Sequence, residues 1–171
     1  MPIFVSPNLE SKETVLLLVQ GSGAVRPGIW ARALCINDKQ GLQWGSMLPF
    51  LEQSDARGWG VVILNPNEDA PGVGRDHQQV IHALHSIIAP SQNVVIIAHS
   101  RGGASTADAL RVSSAAAGNV RAIALTDSVH YPQQTDQTFR RLSINWVSLS
   151  CCCCCCCCCC CCCLLLLTRC R

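Results

Sequence analysis

The chain has 171 residues, a formal net charge of +2 and 14% charged residues, so it carries no basic footprint for nucleic acid. Its length suits one domain with a real core, and its first residues lack the basic-then-apolar pattern of a secretory leader. Of its 15 cysteines, all but Cys35 and Cys170 fall in one homopolymer, Cys151 to Cys163. Disulfide frameworks and zinc sites need spaced thiols, so neither is expected, and the remainder reads as a cysteine-poor, intracellular-type domain.

Met1 to Thr14 reads as an extended lead-in, with Ile3 to Val5 pairing at a sheet edge. Val15 to Val19 is an unbroken apolar run, the pattern of a strand buried on both faces. It ends in Gln20 to Gly23, whose glycines let backbone N–H groups approach a ligand. Trp30 to Leu34 and Gly45 to Gly58 have helical composition. Gly58 sits where a C-terminal cap belongs, and Pro49 calls for an irregular first turn or a later start. Trp59 to Leu64 is a second buried strand closed by Asn65-Pro66-Asn67, and Ala70 to Gly74 is a loop. Asp76 to Ala89 places Val80, Ile81, Leu84, Ile87 and Ile88 at helical spacing, and Pro90 stops it. His82 and His85 stand three apart on that helix. Without an acidic companion they are expected at its surface or core edge, not around a metal.

Val94 to Ala98 is a third apolar run, followed by His99-Ser100-Arg101-Gly102-Gly103 and a segment of helical composition. Strand, serine and helix in this order outline a nucleophile elbow, which presents a hydroxyl above a parallel sheet. The usual pattern is Gly-x-Ser-x-Gly; Ala98 replaces the first glycine and is small enough for the turn. The competing reading is a plain strand–helix turn in which Ser100 caps the helix and the glycines serve close packing. Ala104 to Ala117 is an alanine-rich helix, Val120 to Thr126 a fourth core strand ended by Asp127, Gln133 to Arg141 a short helix, and Ile144 to Leu149 a fifth. Strands alternating with helices at this spacing predict a mostly parallel, right-handed α/β sheet with helices on both faces.

Residues 1–150 are expected to form the domain and residues 151–171 a low-complexity Cys/Leu tail. As a membrane anchor the tail is at the lower limit of about 17 apolar residues, so membrane attachment is not expected. A dense thiol cluster open to acylation or metal scavenging is a second reading. The favoured one is a translated CTG repeat, in which cysteine in one frame becomes leucine after a slip.

Three segments together resemble one family. Val19 to Gly23 with Arg26 to Trp30, Val62 to Glu68, and Ala98 to Gly103 with Ala124 to His130 are similar to the Argonaute-binding-protein-two (Arb-two) domain, across residues 3–149. The resemblance implies an α/β-hydrolase-like fold and a nuclear location, with the cytoplasm as a second compartment. It also implies roles in small-RNA-guided heterochromatin formation or cotranscriptional regulation, with Argonaute or chromatin factors as protein partners and no cofactor. Where the animal members carry a charged, lysine-rich insertion, only Asp69 to Gly74 stands here.

The leading expectation is thus a non-catalytic, hydrolase-like interaction domain. The alternative is an esterase-like serine hydrolase with Ser100 as nucleophile and Asp127 as acid. Its oxyanion donors would be the N–H of Arg101 and one from the loop containing Gly21, Ser22 and Gly23. The base is the difficulty. His130 follows Asp127 by three residues, leaving no room for a separate orienting carboxylate, and His99 should point into the sheet or sideways. Counting Val15 to Val19 as the third of the usual eight strands, Ile144 to Leu149 is the seventh. The last strand or strands, the usual acid loop and the histidine are then missing. Such a truncated sheet would expose apolar surface and be marginal, or would need a partner to cover it.

Overall fold

The computed structural model describes residues 3–39, 41–130 and 137–142, the side chains of residues 138 and 140 excepted. The expected strand at Ile144 to Leu149, the truncated end of the sheet and the Cys/Leu tail lie outside the described residues. Within them, β1 (Ile3–Val5), β2 (Thr14–Val19), β3 (Gly60–Leu64), β4 (Asn93–His99) and β5 (Val120–Thr126) form a five-stranded sheet. The strand order is β1-β3-β2-β4-β5. β2 to β5 run parallel, and β1 pairs antiparallel to β3 through Ile3 and Leu64, as an edge strand should.

The apolar runs form strands because both sheet faces are covered. Val15, Leu17, Val19, Ile96 and Ala98 pack on one face against Val80, Leu84, Leu110 and Phe139. Their sequence neighbours Leu16, Leu18, Val95 and Ile97 face the opposite way, onto Met47 and Phe50. This is the period-two alternation of a strand, with neither face left polar. Complete burial of each Leu, Ile or Val contributes about 1.5–3 kcal/mol before chain entropy is charged against it.

Helices flank both faces. α1 (Arg32–Cys35) and α2 (Gly41–Gly45) are single turns, and α3 (Leu48–Ala56) packs beside β3. The predicted helix from Gly45 therefore starts later, with Pro49 in its first turn, where the missing N–H does no harm. Gly58 closes it at φ 68°. On the other face lie α4 (His77–His82), α5 (Arg101–Val112) and α6 (Gln137–Leu142). α4 passes directly into a π turn, Ala83–Ile87, whose wide bond from the Ile88 N–H to the Ala83 carbonyl measures 2.9 Å. The extra residue in that turn brings Ile88 into the core. α5 is shorter at its end than Ala117, because the chain leaves the helix at Ser113 and makes a 3-10 turn, Ser114–Ala117.

The chain leaves β2 toward β3 on one side of the sheet and leaves β4 toward β5 on the other. The crevice between the C-terminal ends of β2 and β4 is therefore the topological switch point, where α/β sheets seat their ligands. The register pairs Val19 with Ala98 across this gap. The loop after β2 and the turn after β4 consequently leave the sheet side by side.

Candidate active site

Ser100 occupies that crevice. It sits at φ 51° and ψ −121°, a conformation that stores on the order of 1–3 kcal/mol in a non-glycine residue. The turn is held by its neighbours: the Ser100 N–H donates to the Thr126 carbonyl (2.9 Å), and the Ser100 carbonyl accepts from Gly103 (3.1 Å) and Val129 (3.2 Å). Its hydroxyl does not cap α5, so the simple capping role does not apply. The two following glycines serve close approach. A Cβ on Gly102 would collide with the Val19 carbonyl and lie 2.7 Å from the Gln20 carbonyl, and one on Gly103 would strike the Ser128 side chain. Ala98, in place of the usual glycine, is fully buried.

The loop after β2 lies against the serine. A Cβ on Gly21 would come within 2.8 Å of the Ser100 Cβ and 3.3 Å of its Oγ. Behind the loop stands a chain of amides. Gln20 and Asn65, both fully buried, meet through a 2.7 Å bond from Gln20 Nε2 to Asn65 Oδ1. Asn65 Oδ1 also accepts from the Asn67 N–H and from Asn67 Nδ2, both at 3.2 Å. Asn67 in turn donates Nδ2 to the Gly21 carbonyl (2.9 Å), and its Oδ1 accepts from the Gly23 N–H (3.1 Å). The Gly23 N–H is therefore committed to Asn67. Of the loop positions read from the sequence, Gly21 and Ser22 keep backbone donors outside this clamp. Arg101 begins α5, where an N–H has no acceptor within the helix. Its side chain turns away to Asp76, at 3.2 Å and 3.4 Å, in an exposed pair that Ser105 joins at 3.4 Å.

The acid–base side is arranged differently. Asp127 ends β5 at φ 49°, and its charge acts on His99. His99 turns sideways: Nδ1 lies 3.0 Å from Thr126 Oγ1, and the ring meets Trp30 edge-on at 5.8 Å. Burial pushes the His99 pKa below its ordinary 6.5, partly opposed by Asp127 and Thr126. His130 Nδ1 lies 2.8 Å from Ser128 Oγ, and its ring tilts onto Phe139 at 5.6 Å. Burial lowers its pKa as well. Beside the elbow a cavity of about 230 Å³ opens between α4 and α5, lined by Asp76, His77, Arg101, Ser105, Asp108 and His130 together with Ala104 and Ala107. Ser100 is not part of that lining. His85, read as a surface or core-edge residue, bonds Ser113 through Nε2 at 2.8 Å and ties the π turn to the end of α5.

Sequence reasoning missed the working partners of this site: Gln20, Asn65, Asn67, Ser128 and Thr126. The signal for the amides was available, since a polar residue directly following a two-faced buried strand must itself be buried and paired.

Fold and site together define an α/β-hydrolase-like domain with a serine at its elbow. The Arb2 domain model matches residues 1–70. A FAM172 family protein homolog of Caenorhabditis elegans is 37% identical over 152 residues, covering 83% of this chain and 48% of that protein. The cotranscriptional regulator ARB2A of Homo sapiens is 29% identical over 216 residues, covering 86% of this chain and 51% of its own length. By these matches the chain is similar to Arb2-domain proteins, and it spans about half the length of the curated relatives it matches. Among solved structures, the histone deacetylase Clr3 aligns at a TM-score of 0.49 and 16% identity, over 72% of this chain and 21% of that one. No helix among the described residues is long and apolar enough to cross a membrane.

Proposed function

We propose that residues 1–150 form an interaction domain of a cotranscriptional regulator, built on a hydrolase-like frame and working through protein contacts rather than catalysis. Residues 151–171 are an appended tail. Its partners are Argonaute or chromatin factors, its place is the nucleus, and its output is small-RNA-guided heterochromatin formation or cotranscriptional control. The regulatory part is supported by the similarity to the cotranscriptional regulators ARB2A of Homo sapiens and its Dictyostelium discoideum homolog. The observation that carries the non-catalytic part is the engagement of both imidazoles next to the elbow. His99 is held by Thr126 and Trp30, and His130 by Ser128 and Phe139. The test is affinity capture of the full chain from nuclei, probed for Argonaute and chromatin factors. Capture that is equal for wild type and Ser100→Ala is expected; capture that requires the Ser100 hydroxyl would count against this reading.

A second reading, an esterase-like serine hydrolase acting through Ser100, is favoured by the strained elbow and by Gly21 at its hydroxyl. Labelling by a fluorophosphonate, abolished in Ser100→Ala, is its expected sign.

A further inference from the structure

The amide clamp behind the loop points to a role for Asn67 that rests on the second reading, in which a polarised oxygen is seated at Ser100. All described peptide bonds are trans, and in a trans peptide the N–H points opposite to the preceding carbonyl. The Gly21 carbonyl is drawn to Asn67 Nδ2 at 2.9 Å. The Ser22 N–H, on the far side of the same peptide plane, is therefore turned away from Asn67. The other flank of Gly21 is Ser100, close enough that no Cβ fits between them. The remaining loop candidate, the Gly23 N–H, is taken by Asn67 Oδ1. The two contacts also fix which end of the Asn67 amide is which, since one partner only accepts and the other only donates. The neighbours leave the amide little freedom: Asn67 is itself bonded to Asn65 Oδ1, which the fully buried Gln20 holds from behind.

We propose that Asn67 is a positioning residue. By holding the Gly21–Ser22 peptide, it directs the Ser22 N–H, together with the Arg101 N–H, at the oxygen of a carbonyl or phosphonyl group placed on Ser100. Asn67→Asp separates this role from a merely structural one. The carboxylate still accepts from the Gly23 N–H but cannot donate to the Gly21 carbonyl, so the peptide plane is released while the loop stays anchored.

The experiment compares the full chain with Asn67→Asp and Asn67→Ala in two measurements. The first is the rate of Ser100 labelling by a fluorophosphonate. The second is the amide 1H–15N resonances of Ser22 and Gly23. Expected for Asn67→Asp is labelling slowed by about 10²-fold, the scale of losing one oxyanion donor. Its Ser22 resonance should be displaced, and the thermal midpoint should move far less than in Asn67→Ala. Labelling at the wild-type rate would overturn the proposal. If the wild type itself is not labelled, the hydrolase reading fails and the amide spectrum decides the role of Asn67 alone. A Ser22 resonance unmoved by Asn67→Asp then overturns the hold of Asn67 on the Gly21–Ser22 peptide, and a displaced one upholds that hold while the aim at an oxygen on Ser100 falls with the hydrolase reading.

Discussion

The two flanks of Ser100 are built to different standards. On the β2–β3 side, Gln20, Asn65 and Asn67 form a relay of amides whose inner members are fully buried, and Gly21 is pressed against the serine. On the β5 side, Val129 donates its N–H to the Ser100 carbonyl, the Thr126 hydroxyl meets the His99 ring, and Ser128 and His130 bond each other within the loop. The first flank fixes dipoles around the place where an oxygen would sit. The second sets His99 between Thr126 and Trp30, and His130 between Ser128 and Phe139 at the edge of the polar cavity. A buried amide network and two packed imidazoles thus stand on opposite sides of one serine. Buried hydrogen-bond networks are costly to break singly, whereas exposed pairs are nearly free to lose.

That contrast makes graded demands. The largest effect is expected from Gly102→Ala, which drives a methyl into the Val19 carbonyl and should remove about 3 kcal/mol, read as a drop in the urea midpoint. Next comes Asn65→Ala, which leaves the fully buried Gln20 amide with only its long 3.4 Å bond to the Val25 carbonyl; about 2 kcal/mol is expected by the same measurement. On the opposite flank, His130→Ala removes one hydroxyl contact and a ring contact and should lose only about 1 kcal/mol. If His130→Ala proved costlier than Asn65→Ala, the asymmetry drawn here would be wrong.

Acid sharpens the same comparison. Burial, the dominant cause, lowers the pKa of His99 and of His130 from 6.5, so below that pH the unfolded chain binds protons that the folded chain refuses. The stability linked to these groups is fully present above 6.5 and declines as the pH falls below it. Urea unfolding at about pH 7.5 and about pH 5.5 should register the loss, and His99→Gln should flatten it. The smallest effect belongs to Asp76→Asn. Its pair with Arg101 is exposed and screened, so a change within about 0.5 kcal/mol is expected, diminishing further in high salt.

Much of the frame was legible in the chain. The runs Val15 to Val19 and Val94 to Ala98 are strands as read, because an uninterrupted apolar segment of that length can be satisfied only between two covering layers; Val120 to Thr126 is a strand as read as well, with Arg121 exposed near its start. Ile3 to Val5 is the edge strand expected of it. The π turn was not legible: Val80, Leu84 and Ile88 suit a regular helix equally well, and only packing against the sheet selects the wider winding. Nor was the choice among Gly21, Ser22 and Gly23 open to inspection, since it depends on where one asparagine side chain points.

The sequence by itself determined the α/β class, the strands among the described residues, the serine between strand and helix, and the resemblance to the Arb2 family, all of them properties of local pattern. Tertiary structure alone decided that Asn65 reaches Gln20 across 45 positions, that Gly23 spends its N–H on Asn67, and that His99 turns to Thr126. Hydrogen bonds between distant segments are set by sheet order and register, and these exist only once the strands have paired.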